Sequence, residues 1–81
     1  MEITQIIAEV NEIFKTVMDN DDIVINEGTN AKDIDEWVSL TNIQLVVCIE
    51  KHFKIRFTSS EIQGFKNVGD MCKTIQSKTV A

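Results

Sequence analysis

Apolar residues recur at helical spacing near the start of the chain, and this pattern limits most strongly what the chain can fold into. They are Ile3, Ile6, Ile7, Val10, Ile13, Phe14 and Val17. Side chains three and four residues apart share one face of an α-helix, so residues 3–17 are predicted to form an amphipathic helix. Because 81 residues support one small core, we predict a single all-α domain over residues 1–81.

Three further helices are predicted in the second half of the chain. The stretch from Ser39 to about Phe53 has an apolar helical period. Thr58, followed by Glu61 three residues later, matches a capping box and predicts one or two helical turns. Asn67 is suited to cap the last helix. The predicted fold is therefore a small four-helix bundle with three longer helices and one short one.

The sequence also predicts the conformation of the segment before the short helix, the core face of the last helix and the state of the tail. Residues 54–57 alternate polar and apolar side chains, so we expect an extended piece with Ile55 and Phe57 turned inward. The last helix has an apolar stripe of Val68, Met71, Cys72 and Ile75. The tail, residues 77–81, is expected to fray.

A long connection separates the first two helices. Residues 18–38 show no sustained period, and a loop of about twenty residues in a small domain is more often functional than accidental. Four aliphatic residues in it are expected to pin the loop onto the bundle. They are Ile23, Val24, Ile25 and Ile34.

The charge balance excludes several classes of protein. Thirteen acidic and eight basic residues give a formal net charge of -5, which disfavours nucleic-acid binding. No apolar run reaches the ~20 residues that cross a bilayer, so no membrane insertion is expected. The first residues lack the basic lead-in of a signal peptide. Cys48 and Cys72 lie 24 residues apart and are expected to be buried or half-buried free thiols, which favours a reducing, cytoplasmic location.

This acidity is concentrated in one part of the chain. Residues 18–38 hold seven acids and one base, whereas residues 39–81 hold three acids and six bases. The acidic surface is therefore expected on the long loop that leads to Ser39 and not on the helix after it.

Self-contained catalysis is not expected. His52 is the only histidine, and Ser39 precedes it by thirteen residues on one predicted helix, so about 20 Å separates them. The two side chains cannot form a nucleophile–base pair, and we interpret His52 as a solvated residue near a helix end.

A calcium-binding loop is not expected either. An EF-hand loop needs glycine at its sixth position and glutamate at its twelfth. Starting at Asp19, these positions hold Val24 and Asn30; starting at Asp33, they hold Val38 and Gln44. We therefore predict no metal site and interpret these acids as solvated loop residues.

The helix beginning at Ser39 carries two apolar stripes. Leu45, Val46, Ile49 and Phe53 fall within about 100° of one another and form a normal core stripe. Leu40, Ile43 and Val47 form a second stripe roughly 140° away. A surface helix needs only one apolar face, so the helix is either completely buried or presents a patch for a partner.

Ser39 itself has two compatible interpretations. Serine is a favoured N-cap residue, which makes capping the default role at a helix start. A helix N-terminus also offers free N–H groups and partial positive charge, which suit an attached phosphate.

The residues around Ser39 resemble a known family motif. Residues 35–40, Asp-Glu-Trp-Val-Ser-Leu, resemble the W-D-S-L form of the phosphopantetheine attachment motif of acyl carrier proteins. Three later features match that family in order and spacing: residues 50–57, which resemble its E-x-x-F-x-I-x-F pattern, residues 61–62 as E-I and residues 68–70 as V-G-D.

The resemblance implies a thioester carrier, a phosphoprotein and not an enzyme. A phosphopantetheinyl transferase would attach 4'-phosphopantetheine to Ser39, and the arm would carry acyl, aminoacyl or ketide groups of fatty acid or polyketide biosynthesis. Loading and biosynthetic enzymes would dock on the helix after the serine, and the carrier itself is expected to be a monomer. The implied docking residues are Trp37, Val38, Leu40, Ile43, Val47 and Glu50.

Two positions depart from the family pattern. Val38 stands where the family has an aspartate that helps the transferase engage the site. Glu50 is the only acid from Leu40 to Phe53, whereas the family often has several. Val38 leaves a second hypothesis open, a degenerate carrier fold that grips a partner without the prosthetic group.

Overall fold

Four α-helices account for the regular structure of residues 2–79, the part of the chain that the computed structural model describes. They are α1 (Ile3–Met18), α2 (Ser39–Phe53), α3 (Ser59–Gly64) and α4 (Val68–Thr79). The described residues contain no strand. The predicted all-α fold, with three longer helices and one short one, is confirmed.

The predicted apolar stripe of α1 supplies the centre of the core. Ile6, Val10 and Phe14 are fully buried, and α1 packs against both α2 and α4. Leu45 and Ile49 of α2 are equally buried. The last helix contributes the predicted set of Val68, Met71, Cys72 and Ile75, all fully buried.

The long loop is held against the bundle by alternate side chains. Ile23, Ile25 and Ile34 are buried, as expected, but the prediction for Val24 is wrong, because its side chain is 82% exposed. In an extended segment, successive side chains point to opposite sides, so burying both neighbours of Val24 turns it outward. Asn11 of α1 fixes this register: its Oδ1 accepts the N–H of Ile25 at 2.7 Å.

A close backbone contact joins the same loop to the start of α4. The N–H of Val68 donates to the Thr29 carbonyl and the N–H of Gly69 to the Glu27 carbonyl, each at 2.8 Å. A Cβ at position 69 would lie 2.8 Å from that Glu27 oxygen. Glycine is therefore required at this position because the two backbones approach each other so closely.

The N-termini of α3 and α4 have the predicted capping residues. The hydroxyl of Thr58 accepts the N–H of Glu61 at 3.1 Å, and the Glu61 carboxylate accepts the N–H of Thr58 at 2.8 Å. The N–H of Asp70 donates to Asn67 Oδ1 at 2.8 Å. Both predicted caps are confirmed.

The prediction is confirmed for the segment before α3 and wrong for the end of α4. Phe57 is buried and Ile55 half-buried, which agrees with an inward-turned pair. Residues 77–79, by contrast, belong to α4 instead of a frayed tail, since Lys78 pairs with Glu61 at 3.0 Å. Val80 and Ala81 lie outside the described residues.

The two cysteines differ in environment. Cys72 is buried as predicted, whereas Cys48 is exposed and the prediction for it is wrong. Cys48 lies about 115° around α2 from the centre of the core stripe, where it lines an open groove beside α1. Within residues 2–79, no helix is both long enough and apolar enough to cross a membrane.

Candidate functional site

Ser39 is the first helical residue of α2 and is exposed. The prediction that it caps the helix is wrong, because Val38 occupies the N-cap position with extended backbone (φ -116°, ψ -179°). The helix starts one residue early because the Val38 carbonyl already accepts the N–H of Asn42 at 2.8 Å. The hydroxyl of Ser39 is therefore free of a capping role and faces solvent.

Thr41 holds the chain in position as it enters α2. Its hydroxyl donates to the Glu36 carbonyl at 2.6 Å and accepts the N–H of Val38 at 2.9 Å. These bonds fix the backbone on both sides of Trp37. Because valine has no acceptor, no side chain at the N-cap binds the free N–H groups of the first turn.

Trp37 anchors the same entry point to α1. Its ring is half-buried and packs edge-on against Phe14, with ring centroids 5.0 Å apart. Its indole N–H donates to Asn42 Oδ1 at 2.9 Å, which satisfies the polar atom of a partly buried tryptophan. Phe14 of the core thus determines where the residue before Val38 lies.

The second apolar stripe of α2 lies on the surface. Leu40, Ile43 and Val47 are 66%, 62% and 41% exposed, and Val38 next to them is 55% exposed. The first stripe faces the core, where Leu45, Val46 and Ile49 are buried. Of the two alternatives for this helix, complete burial is therefore excluded and the exposed patch is present.

Glu50 does not point freely into solvent. Its carboxylate accepts the N–H of Phe57 at 2.8 Å, and its carbonyl accepts the N–H of Ile55 at 3.0 Å. Glu50 therefore fixes the turn that follows α2, and its carboxylate is partly committed to that bond.

Ser39 and His52 occupy opposite ends of α2, as the spacing predicts. His52 is exposed near the end of α2, as interpreted from the sequence, and its ring also has a partner. Its Nε2 lies 2.8 Å from Oε1 of Glu9 on α1, and both side chains are partly exposed. His52 thus links α1 to α2 at the far end of the helix from Ser39.

The acids of the loop are spread along it. Glu36 accepts a hydrogen bond from the Asn20 side chain at 2.9 Å, and Asp33 accepts the N–H of Asn30 at 3.1 Å. In the described part of the chain, no group of three histidine, cysteine or acidic side chains is placed to hold a metal ion.

The chain is similar to a solved acyl carrier protein. The solution NMR structure of holo acyl carrier protein from Geobacter metallireducens shares 42% sequence identity with it. That match covers 89% of this chain and 83% of the other, with a TM-score of 0.84. No model of a protein family matches the chain, and no curated protein does.

Identity and coverage of this extent show that the chain belongs to the acyl carrier protein family. Members of this family are carriers and not catalysts, which agrees with the wide separation of Ser39 from His52 on α2.

Two polar residues of the site were not identified from the sequence. The sequence predicts only that Thr41 and Asn42 lie in a helix, yet their side chains hold Glu36, Val38 and Trp37 in place. A signal was available for Asn42, because a half-buried indole N–H needs an acceptor and a helical side chain five residues away lies within reach.

Proposed function

We propose that this protein carries acyl-type intermediates as thioesters on a 4'-phosphopantetheine arm attached to Ser39. The observation that supports this most strongly is the position of Ser39. It is an exposed serine at the first helical residue of α2, and the exposed apolar stripe follows it along the helix. Family membership supports the carrier role, and the solved relative is described as a holo protein.

The start of α2 suits a phosphodiester. The N-cap side chain accepts no bond and the first turn holds no acid, so the partial positive charge of the helix N-terminus is not already neutralised. The backbone N–H groups of the first turn would hold the phosphate beside Ser39. When attached, the arm supplies a terminal thiol that forms thioesters.

We propose the exposed stripe as the docking surface for partner enzymes. Val38, Leu40, Ile43 and Val47 would supply apolar contact area next to the attachment site. Trp37 and Glu50 belong to the same surface, but both are engaged within the protein. They would therefore act mainly by positioning the surface, and the apolar residues would carry most of the binding energy.

The partners that follow are a phosphopantetheinyl transferase and the enzymes that load and use the carried group. We propose that the protein acts as a monomer in the cytoplasm, in fatty acid or polyketide biosynthesis or a related thioester pathway. The acidic loop before Ser39 would attract basic partner surfaces over a distance, while the stripe would make the contact.

The test is modification by coenzyme A and a broad-specificity phosphopantetheinyl transferase, followed by intact mass measurement. We expect the wild-type chain to gain one phosphopantetheine group. Ser39→Ala should gain nothing, and the matched variant Ser60→Ala on α3 should be modified like the wild type. An unmodified wild-type chain, beside a control carrier that is modified, would overturn the proposal.

One observation favours the alternative of an interaction module without the arm. Val38 stands where the family has an acid, and its exposed side chain extends the apolar stripe past Ser39. Such a module would bind a partner equally well as wild type and as Ser39→Ala. The carrier hypothesis requires that Ser39→Ala abolish transfer of the cargo to that partner.

A further inference from the structure

An open groove of about 590 Å³ lies at the end of α2 opposite to Ser39. It combines apolar wall residues with three cationic side chains and one acid. Its lining residues are Val47, Glu50, Lys51, Lys54, Ile55 and Arg56. A groove with this lining suits a ligand that has both an apolar part and a negative charge.

The positive charge of this groove is not neutralised within the protein. Lys51, Lys54 and Arg56 are exposed, and in the part of the chain that the structure describes none of them forms an ion pair. The one acid in the lining, Glu50, has its carboxylate bound to the N–H of Phe57 at 2.8 Å. The cations are therefore available to an external anion, although the net charge of the chain is -5.

A row of side chains four residues apart leads from Ser39 around α2 to the groove. At 100° per residue, Ser39, Ile43, Val47 and Lys51 fall within about 120° of one another. Val47 belongs both to the exposed stripe and to the groove wall. The exposed apolar stripe therefore forms a continuous path from the serine to the cations.

The length of a phosphopantetheine arm matches this path. Twelve residues separate Ser39 from Lys51, which is about 18 Å along the helix. The arm has about fourteen bonds between the serine oxygen and the thiol sulfur, or about 16 Å at the reach of an extended chain. A group carried on the thiol is thus able to reach the groove.

We propose that this groove binds the free carboxylate of a dicarboxylic acyl group carried on the arm. The proposal rests on the proposed attachment of the arm to Ser39. Lys51, Lys54 and Arg56 attract the carboxylate, and the Val47 and Ile55 side chains contact the methylene groups next to it. A neutral acyl group of the same length gains only the apolar contact, so the groove favours acidic cargo.

The test compares two cargoes of similar length. The transferase loads the chain from glutaryl-coenzyme A, labelled with ¹³C at the terminal carboxyl, or from hexanoyl-coenzyme A, and intact mass verifies loading. NMR then follows the backbone amides of Lys51, Ile55 and Arg56 and the pH titration of the labelled carboxyl. We expect the glutaryl group to change the chemical shifts of these amides more than the hexanoyl group does. We also expect the acid dissociation constant of the carboxyl to be about threefold larger than in free glutaryl-coenzyme A, because nearby cations favour the charged form.

A matched pair of double variants controls for net charge. Lys51→Gln/Arg56→Gln removes two cations from the groove, whereas Lys66→Gln/Lys73→Gln removes two from a separate groove between α3 and α4. We expect only the first pair to return the carboxyl titration to that of free glutaryl-coenzyme A. All four positions are exposed, so circular dichroism should show an unchanged fold.

The outcomes separate this inference from the function on which it rests. Failure to load either cargo would overturn the attachment of the arm and this inference with it. Successful loading with equal amide shifts for both cargoes, or with a titration that neither double variant changes, would overturn the groove as a cargo site and leave the attachment intact.

Discussion

At the scale of single residues, the two cysteines show how strongly position determines chemistry. Cys48 is exposed on α2 and Cys72 is fully buried on α4. Burial, together with the nearby negative charge of Glu27, raises the pKa of the Cys72 thiol from 9.0 to about 12. Since the thiolate is the reactive form, only one of the two cysteines is available to a thiol reagent.

We therefore expect iodoacetamide at pH 8 to modify one thiol quickly and the second about 100-fold more slowly, because the second reacts only after the structure opens. Peptide mass spectrometry should place the fast modification on Cys48. In Cys48→Ser the fast phase should vanish. Equal rates at the two cysteines would contradict the burial of Cys72.

The raised pKa of Cys72 also has a consequence for stability. The folded thiol keeps its proton between about pH 9 and 12, whereas the unfolded thiol loses it, so the folded state loses stability as pH rises through that window. We expect the urea midpoint to fall more steeply above pH 9 in the wild type than in Cys72→Ala. Parallel slopes would show that Cys72 does not contribute.

Gly69 lies so close to a neighbouring backbone that the effect of adding a side chain there on stability is predictable. Alanine there would place its Cβ 2.8 Å from the Glu27 carbonyl, whereas a Cβ at Gly64 meets nothing within 4 Å. We expect Gly69→Ala to lower the free energy of unfolding by about 1–3 kcal/mol, the usual cost of forcing a close-packed contact apart. Gly64→Ala is the matched control and should leave stability nearly unchanged in urea unfolding. Equal effects of the two variants would contradict the close contact.

At the scale of elements, the start of α2 combines a missing cap with the proposed attachment site. Valine at the N-cap leaves the first-turn N–H groups without a side-chain acceptor. The entry is instead held by Thr41 from inside the helix. The start of α2 is therefore less stable than it would be with a side-chain cap. Its free N–H groups remain open to an attached phosphate.

We expect Val38→Asp to raise the free energy of unfolding by about 1 kcal/mol, since aspartate is a strong N-cap. The same variant should also speed modification by the transferase if the acid of the family motif assists that enzyme. Val38→Ala, which adds no acceptor, is the control for loss of the valine side chain. No gain in stability for Val38→Asp relative to Val38→Ala in urea unfolding would contradict the missing cap.

The elements that could be predicted from sequence are those set by local periodicity and local caps. The stripe of α1 and the caps at Thr58 and Asn67 depend on residues within four positions of one another. The exposure of Val24 depends instead on Asn11, fourteen residues from Ile25, whose N–H it binds. The position of Trp37 similarly depends on Phe14. Contacts between distant parts of the chain leave no periodic signal, which is why these two features were not predicted.

The candidate site was predictable to a similar degree. The two stripes of α2 follow from helical angles alone, but the angles leave burial and exposure of the second stripe both open. The structure decides between them, since Leu40, Ile43 and Val47 are exposed. The role of Ser39 as a cap was predicted wrongly, because the start of a helix depends on which carbonyl first accepts a bond. The position of Cys48 about 115° from the core stripe was available from the same angles.

At the scale of the whole molecule, charge is divided along the chain. Residues 18–38 hold seven of the thirteen acids, and residues 39–81 hold six of the eight bases. The proposed docking stripe therefore runs from an acidic loop to a basic groove. A partner is expected to meet both signs of charge, which would fix its direction along α2.

We expect the triple variant Asp33→Asn, Asp35→Asn and Glu36→Gln to raise the KM of the transferase several-fold, about 3- to 10-fold at low salt, because loop acids attract basic enzyme surfaces. Glu50→Gln should have a smaller effect, since that carboxylate is bound to the Phe57 N–H. Steady-state kinetics at two salt concentrations would test this. A larger effect of Glu50→Gln than of the triple variant would contradict it.

The most direct test of the carrier role is the location of the arm after modification by the transferase. Trypsin should release residues 33–51 as one peptide, which contains Ser39 as its only serine. We expect fragment mass spectra to place a single phosphopantetheine group on Ser39 of this peptide. An unmodified peptide 33–51 from a chain treated beside a modified control carrier, or an arm on any other residue, would contradict the account.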